Sequence, residues 1–293
     1  MAGPQYRFRS ETELLDERVR SAASGRFIAL DGGIVHYELA GPADAQPVVL
    51  VHGFSVPYYV WDPTFTALSQ AGFLTMRYDL YGRGLSDRPN ANYNLDLFDR
   101  QLLNLVNALR LRTPIDLVGV SMGGPIVVSF VDRHPELVRR LVLVDPAGFL
   151  LREPLAFVVK TPVLGEVLMD LLGERILVSG QSKDFCHPQL FQDYPARYLP
   201  YARYKGFRRA LLSTLRGDTL RDSSALFRRV GLQRHPTLLF WGRQDKTIPF
   251  DIHRLVLAAM PHAEFHAVDA AGHIPHYERP DAVNPVLIEF LRR

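Results

Sequence analysis

Cysteine is nearly absent from this chain of 293 residues, in which Cys186 stands alone. An internal disulfide bond and a cysteine metal cluster are therefore excluded. The sequence also lacks any run of 18 apolar residues, which excludes a helix that spans a membrane. The first 20 residues are rich in arginine and glutamate and have no apolar core, so we expect no secretory signal and a cytoplasmic protein.

The chain has no large excess of charge of either sign. Lysine and arginine number 34 and aspartate and glutamate 31, which gives a formal net charge of +3. This charge is too small to predict nucleic acid as a partner. The histidines near the C-terminal end lack the spacing of metal ligands on one element: His262, His266, His273 and His276. We therefore expect no metal ion and no other cofactor.

Hydrophobic residues make up 47% of the chain, enough for one large core or for one core with a subdomain. Apolar runs typical of β-strands alternate with helical patterns. The predicted strands are 27–30, 34–39, 48–51, 73–78, 115–120, 141–144, 237–241 and 264–268. The predicted helices are 61–70, 95–111, 122–133, 252–260 and 282–291. Such alternation predicts an α/β fold with a mostly parallel sheet and helices on both faces.

Two segments fall outside this alternation. Residues 10–13, Ser-Glu-Thr-Glu, have the form of a capping box and predict an N-terminal helix that packs on the body of the protein. From about Ala147 to Leu232 there is no clear strand pattern, and prolines interrupt apolar helical stretches such as 164–172. We expect a helical insertion in this second segment.

A glycine-flanked serine lies between the predicted strand 115–120 and a predicted helix, in Gly119-Val120-Ser121-Met122-Gly123. The pattern G-x-S-x-G is typical of a serine on a sharp strand-to-helix turn, the nucleophile elbow. Gly119 and Gly123 are needed because side chains there would keep the strand and the helix apart. This geometry exposes the Ser121 hydroxyl and lets the N–H of Met122 stabilise an oxyanion.

A serine nucleophile needs a base to take its proton and an acid to orient that base. His273 follows the last predicted strand and is the candidate base, although a histidine of a surface loop is the alternative. Asp245 is the candidate acid, with a local Asx turn as its alternative role. Asp145 follows the predicted strand 141–144 and competes for the same role. Residues after parallel strands meet at one edge of the sheet, where ligands bind.

The chain order Ser121, Asp245, His273, together with the elbow, resembles the α/β-hydrolase family, and the likeness runs over nearly the whole chain. Residues 242–245 are similar to the G-x-x-D loop of that family. Residues 79–86 are similar to its D-x-x-G-x-G-x-S turn, for which we expect a structural role. The resemblance therefore implies the α/β-hydrolase fold and a Ser-His-Asp triad.

The same resemblance implies two further features. The N–H of Phe54, in His52-Gly53-Phe54, is expected to be the second oxyanion donor, and His52 is expected to be a packed scaffold residue. A helical cap of residues 147–231 is expected on a core of residues 1–146 and 232–293. Four apolar residues of this cap are candidates for the wall of the substrate pocket, although such stripes are more often simple packing: Val163, Leu164, Val167 and Leu168.

The serine at position 121 separates this chain from dehalogenases and epoxide hydrolases, which carry an aspartate there. The loop at Phe54 and the apolar cap look most like carboxylesterases and monoacylglycerol-type lipases. This likeness implies a small-molecule ester of short to medium acyl chain as substrate, with transient contact to a lipid interface as a further option. The alternatives are a carbon–carbon hydrolase of ring-cleavage products, an acyltransferase, a cofactor-free perhydrolase and a ligand receptor. Ile274 stands where the carbon–carbon hydrolases typically have tryptophan.

Overall fold

The computed structural model describes residues 6–149 and 160–293. Its central element is an eight-stranded sheet in the order β1-β2-β4-β3-β5-β6-β7-β8. The strands are β1 (Arg26–Leu30), β2 (Gly33–Ala40), β3 (Pro47–Val51), β4 (Leu74–Tyr78), β5 (Ile115–Val120), β6 (Val138–Val144), β7 (Thr237–Gly242) and β8 (Glu264–Val268). Strand β2 pairs antiparallel with β1 and β4, and all later neighbours pair in parallel. The predicted fold class is confirmed.

Helices cover both faces of this sheet. They are α1 (Glu17–Ala22), α2 (Asp62–Gln70), α3 (Leu95–Ala108), α4 (Gly123–Arg133), α5 (Leu164–Leu171), α6 (Gly173–Lys183), α7 (Tyr194–Tyr198), α8 (Phe207–Arg216), α9 (Ser224–Gln233), α10 (His253–Ala259), α11 (Pro275–Glu278) and α12 (Pro280–Arg292). Helices α2, α11 and α12 contact one another on one face, and α3, α4, α9 and α10 lie on the other. The central strands are therefore buried on both sides, and every residue of β3 and β5 is buried, as the apolar sequence of β3 requires.

The segment between β6 and β7 carries helices α5 to α9 and, within residues 160–236, no strand of the sheet. Helix α8 packs with Phe8, Met169 and Tyr198 in a cluster separate from the two faces of the sheet. Helix α9 instead places Leu226 and Phe227 in the main core, against α4 and α10. The boundary expected at residue 231 is thus corrected, because α9 belongs to the layer that covers the sheet.

The N-terminal segment differs from its prediction. Helix α1 begins at Glu17 with Asp16 as its cap, so residues 10–13 do not form a capping box. Glu11 is buried and accepts hydrogen bonds from the backbone N–H groups of Gly206 and Arg208, both at 2.6 Å. Its carboxylate therefore binds the N-terminal end of a helix that is distant in sequence, a contact that local sequence patterns do not predict. The segment therefore binds across the start of α8.

Candidate active site

Ser121 lies at the turn between β5 and α4 in a strained conformation, with φ at +54°. Such an angle is unfavourable for residues with a side chain and persists only where the surroundings enforce it. A Cβ atom at Gly119 would lie 2.5 Å from the carbonyl oxygen of Gly123, and one at Gly123 would lie 2.4 Å from that of Val51. Both glycines are therefore required for the close approach of strand and helix, as the elbow pattern predicts.

The strand registers place the candidate residues at one edge of the sheet. Val120 pairs with Val144, so Ser121 and Asp145 follow neighbouring strands at the same level. Gly242 pairs with Val268, which puts the loops that carry Asp245 and His273 side by side. Four residues that are distant in sequence thus meet where parallel strands end.

His273 and Asp245 form a direct, buried pair, with Nδ1 of His273 2.7 Å from Oδ2 of Asp245. The other carboxylate oxygen of Asp245 accepts hydrogen bonds from the backbone N–H groups of Thr247 at 2.7 Å and Ile248 at 2.9 Å. Asp245 therefore makes the Asx-type contacts and also orients the imidazole. Since Nδ1 is engaged, Nε2 is the nitrogen of His273 that remains for proton transfer.

Burial disfavours a charged imidazole and by itself would lower the pKa of His273. The charge of Asp245 and its hydrogen bond outweigh this effect and raise the pKa above its ordinary value. The backbone N–H of His273 also donates to the carbonyl oxygen of Asp184 at 2.7 Å, which fixes the loop. The arrangement stabilises an imidazolium ion, as a general base requires.

Asp145 also lies in this group, fully buried at the end of β6. One ligand-type atom from each of Asp145, Asp245 and His273 falls within 4.8 Å of the others, close enough for a cation to be held. The hydrogen bond between His273 and Asp245 already gives these groups such spacing. Of the two competing aspartates, Asp245 is the one that bonds to the imidazole.

The expected oxyanion donors are the N–H groups of Met122 and Phe54, and neither finds an acceptor among the described residues. His52, two residues before Phe54 in sequence, is fully buried. Its Nε2 accepts a hydrogen bond from the N–H of Leu80, so Nδ1 carries the proton and donates to the carbonyl oxygen of Gly53 at 2.9 Å. Because that carbonyl shares a peptide plane with the Phe54 N–H, His52 fixes the direction of this donor.

Burial lowers the pKa of His52 to about 4, which keeps the ring neutral and its tautomer fixed. Arg83, in the turn of residues 79–86, is also buried and donates from Nε to the carbonyl oxygen of Phe54 at 2.8 Å. Its other end reaches the hydroxyl of Thr214 on α8 at 2.8 Å. The motif alone indicates a structural turn, whereas the structure shows that its arginine links the loop of Phe54 to α8.

Ser121 and His273 open into a cavity of about 460 Å³. Most of its wall is apolar, formed by Phe54, Val56, Val60, Val120, Ile176, Leu177 and Ile274. Lys183 and Asp184 are the charged residues of the lining, besides the polar Ser55, Gln181 and Thr247. A larger cavity of about 740 Å³ beside α1 is lined by none of the three candidate catalytic residues.

The expected wall residues are corrected by the structure, because none of Val163, Leu164, Val167 and Leu168 lines this cavity. Val163 is 71% exposed, and Leu164 and Val167 are also exposed on the outside of α5. Helix α6 provides the wall instead, through Ile176 and Leu177. Helix α5 is the more apolar of the two, which favoured it in the sequence, and periodicity does not identify the helix that faces Ser121.

Glu278 is a supporting residue that sequence motifs did not indicate. Its buried carboxylate accepts from the N–H groups of Cys186 at 2.9 Å, His187 at 2.7 Å and Gly272 at 2.7 Å. A Cβ atom at Gly272 would lie 2.3 Å from the carbonyl oxygen of Asp184. The loop that holds His273 is therefore fastened to the segment after α6.

Comparison with known proteins identifies a family model, sequences and a crystal structure that are similar to this chain. The family model described as the alpha/beta hydrolase fold matches residues 46–280. A 2-hydroxy-6-oxononadienedioate/2-hydroxy-6-oxononatrienedioate hydrolase of Paraburkholderia phymatum is 27% identical over 92% of this chain and 96% of its own. Lipase 1 of Psychrobacter immobilis is 26% identical over 84% of this chain and 76% of its own. The crystal structure of Cfl2 from Burkholderia cenocepacia superposes with a TM-score of 0.79 at 25% identity, over 90% of this chain and 94% of that one.

Proposed function

Because this chain belongs to the α/β-hydrolase fold family, we propose that it is a serine hydrolase that cleaves small carboxylic esters through an acyl-enzyme intermediate. The observation that carries the ester assignment is the mainly apolar cavity in which Ser121 and His273 lie together. Such a wall binds the acyl chain of an ester, with each buried methylene contributing about 0.8 kcal/mol. Short to medium acyl chains suit a cavity of about 460 Å³.

In the proposed reaction, His273 Nε2 takes the proton of Ser121 as Oγ bonds to the ester carbonyl carbon. The N–H groups of Met122 and Phe54 hold the negative oxygen of the tetrahedral intermediate. The carbon–oxygen bond to the alcohol then breaks, and the alcohol leaves with the proton from His273. Water repeats the sequence on the acyl-enzyme and releases the carboxylic acid. Asp245 stabilises the imidazolium ion in both halves.

The helical segment between β6 and α9 serves as the cap of this site in our proposal. Helix α6 supplies Ile176 and Leu177 to the cavity, opposite the end of the sheet. Helices α5 and α8 pack behind it, in the cluster that contains Met169 and Leu211. The cap thus excludes water from the acyl chain, and its apolar lining sets which chains are accepted.

A carbon–carbon hydrolase of ring-cleavage products is the second candidate, and the relative from Paraburkholderia phymatum favours it. The substrate in that protein's name is a dianion. In the described lining of this cavity, Lys183 is the one cationic side chain, and Asp184 follows it directly. This near balance of charge offers little attraction for a dianion, so the ester is our first choice.

The test compares two substrates with two enzymes. We expect the parent protein to hydrolyse p-nitrophenyl butyrate, and Ser121→Ala to lower kcat by a factor of about 10³ or more. A fluorophosphonate should label Ser121 stoichiometrically, which peptide mapping would show, and Ser55→Ala is the matched control that should retain labelling. Faster turnover of 2-hydroxy-6-oxononadienedioate than of any ester would assign the protein to the second candidate. An adduct on another serine would refute the nucleophile.

A further inference from the structure

Asp145 is a buried carboxyl group to which the proposed reaction gives no part. It ends β6 with a φ of +42°, a strained angle for a residue with a side chain, and it has no exposed surface. Its Oδ1 accepts a hydrogen bond from the N–H of Gly242 at 2.9 Å. Its Oδ2 is buried and meets no donor among the described residues. A carboxylate oxygen in that position would be costly, because it has lost water and gained nothing.

The nearest charged group makes an ionised Asp145 still less favourable. Atoms of Asp145 and Asp245 lie within 4.8 Å of each other and of His273, all buried. Two carboxyl groups at this distance away from water share one proton, because two negative charges repel strongly there. If the proton is on the unpartnered Oδ2 of Asp145, that oxygen becomes a donor, and the neighbouring carboxylate of Asp245 can accept its hydrogen bond.

The hydrogen bonds decide which aspartate carries the proton. Asp245 accepts from Thr247 N, Ile248 N and His273 Nδ1, and three donors stabilise its ionised form. Among the described residues, Asp145 accepts a hydrogen bond from one donor, the N–H of Gly242. Burial first, and then the charge of Asp245, raise the pKa of Asp145 well above its usual range. The other ionisable groups that face this cluster are His273 and Asp184, and Asp184 acts in the same direction on Asp145.

We propose that Asp145 is a neutral carboxylic acid that donates a hydrogen bond from Oδ2 to the carboxylate of Asp245, and so positions Asp245 against His273. Asp145 is then a positioning residue for the proposed triad, and the inference rests on the proposed function. Its proton orients the carboxylate of Asp245 in addition to the hydrogen bond from the imidazole. It also keeps a second negative charge away from His273, which would otherwise hold the base protonated at neutral pH.

The first test is Asp145→Asn, which keeps the size of the side chain, an acceptor for Gly242 and an N–H donor for Asp245. We expect kcat for p-nitrophenyl butyrate to stay within about threefold of the parent, with the acidic limb of the pH–rate profile unmoved. If Asp145 were ionised, its neutralisation would remove a negative charge beside His273, and the limb would move to lower pH. A move of about one pH unit would overturn the proposal.

The second test is Asp145→Leu, which fills a similar volume and can donate nothing. We expect kcat to fall by a factor of about 10 or more relative to Asp145→Asn, with KM unchanged, because the acid is misoriented while the substrate cavity is intact. Circular dichroism would confirm that the leucine variant is folded. Equal kcat in the folded leucine and asparagine variants would overturn the proposal.

Infrared spectroscopy tests the proton itself and requires neither turnover nor the leucine variant. At neutral pH the parent should show the carbonyl stretch of a protonated carboxylic acid, and the difference spectrum against Asp145→Asn should assign that band to Asp145. Absence of the band from this difference spectrum would overturn the proposal even if esters are hydrolysed. Its presence in a protein that hydrolyses no ester would refute the proposed function and leave the neutral Asp145 established.

Discussion

At the scale of single residues, the site depends on the balance of forces on His273. Burial favours the neutral imidazole, whereas Asp245 favours the imidazolium ion through its charge and through a hydrogen bond of 2.7 Å. Asp245 prevails, and the pKa of His273 lies above its ordinary value of about 6.5. Because a general base must be neutral to accept a proton, we expect this pKa to set the acidic limit of the proposed reaction.

The expected pH dependence of ester hydrolysis follows from this upward shift in the pKa of His273. We expect kcat/KM for an ester to fall as pH drops through a midpoint above about 6.5. In Asp245→Asn the two contributions of Asp245 that raise the pKa of His273 are lost, while burial and the smaller contribution of Asp184 remain. The midpoint should therefore move to lower pH while kcat falls by a factor of about 10⁴. The control is Asp269→Asn, which removes the negative charge of an exposed aspartate that pairs with Arg243 and lies four residues before His273. A midpoint that stays fixed in Asp245→Asn would show that another group orients His273.

At the scale of elements, the strands and helices were predictable, but the helix that lines the cavity of Ser121 was not. Strand β5 and helix α4 are mainly apolar and meet at the glycine-flanked turn of Ser121, so sequence patterns locate them within one or two residues. The three residues predicted as a triad could be assigned to one edge of the sheet because each lies in a loop that follows a strand, and their catalytic role stays a prediction. The wall of the cavity could not be predicted, since the sequence of α5 is more apolar than that of α6, yet tertiary packing turns Leu177 of α6 inward and leaves Leu171 of α5 exposed.

Substitutions on these two helices test which one limits the acyl chain. Leu177→Trp should shift the preferred p-nitrophenyl ester to a shorter chain, because the larger side chain occupies cavity volume, and Leu177→Ala should shift it to a longer one. Acetate esters should be affected little. Leu171→Trp is the matched control, since Leu171 is 62% exposed and does not line the cavity. If Leu171→Trp changed the chain-length profile and Leu177→Trp did not, α5 would be the wall after all.

At the scale of the whole molecule, the fold was readable from the alternation of strands and helices, whereas the links between distant segments were not. Glu11, Arg83 and Glu278 each form hydrogen bonds to groups that are far from them in sequence. Such contacts depend on a backbone that is already folded, so neither motif nor periodicity contains them. No helix among the described residues is long and apolar enough to cross a membrane.

The contacts of Glu278 have a consequence for how the protein loses activity. One carboxylate holds both the loop before His273 and the backbone at Cys186 and His187, so the base keeps its place only while the segment after α6 keeps its own. Inactivation should then precede unfolding: on gradual heating, ester turnover should cease several degrees before the sheet melts. Glu278→Gln should widen that interval, since an amide has one acceptor oxygen for three N–H groups, whereas the exposed Glu289→Gln should not. Coincident loss of turnover and of far-ultraviolet circular dichroism in all three proteins would mean that cap and sheet yield as a single cooperative unit.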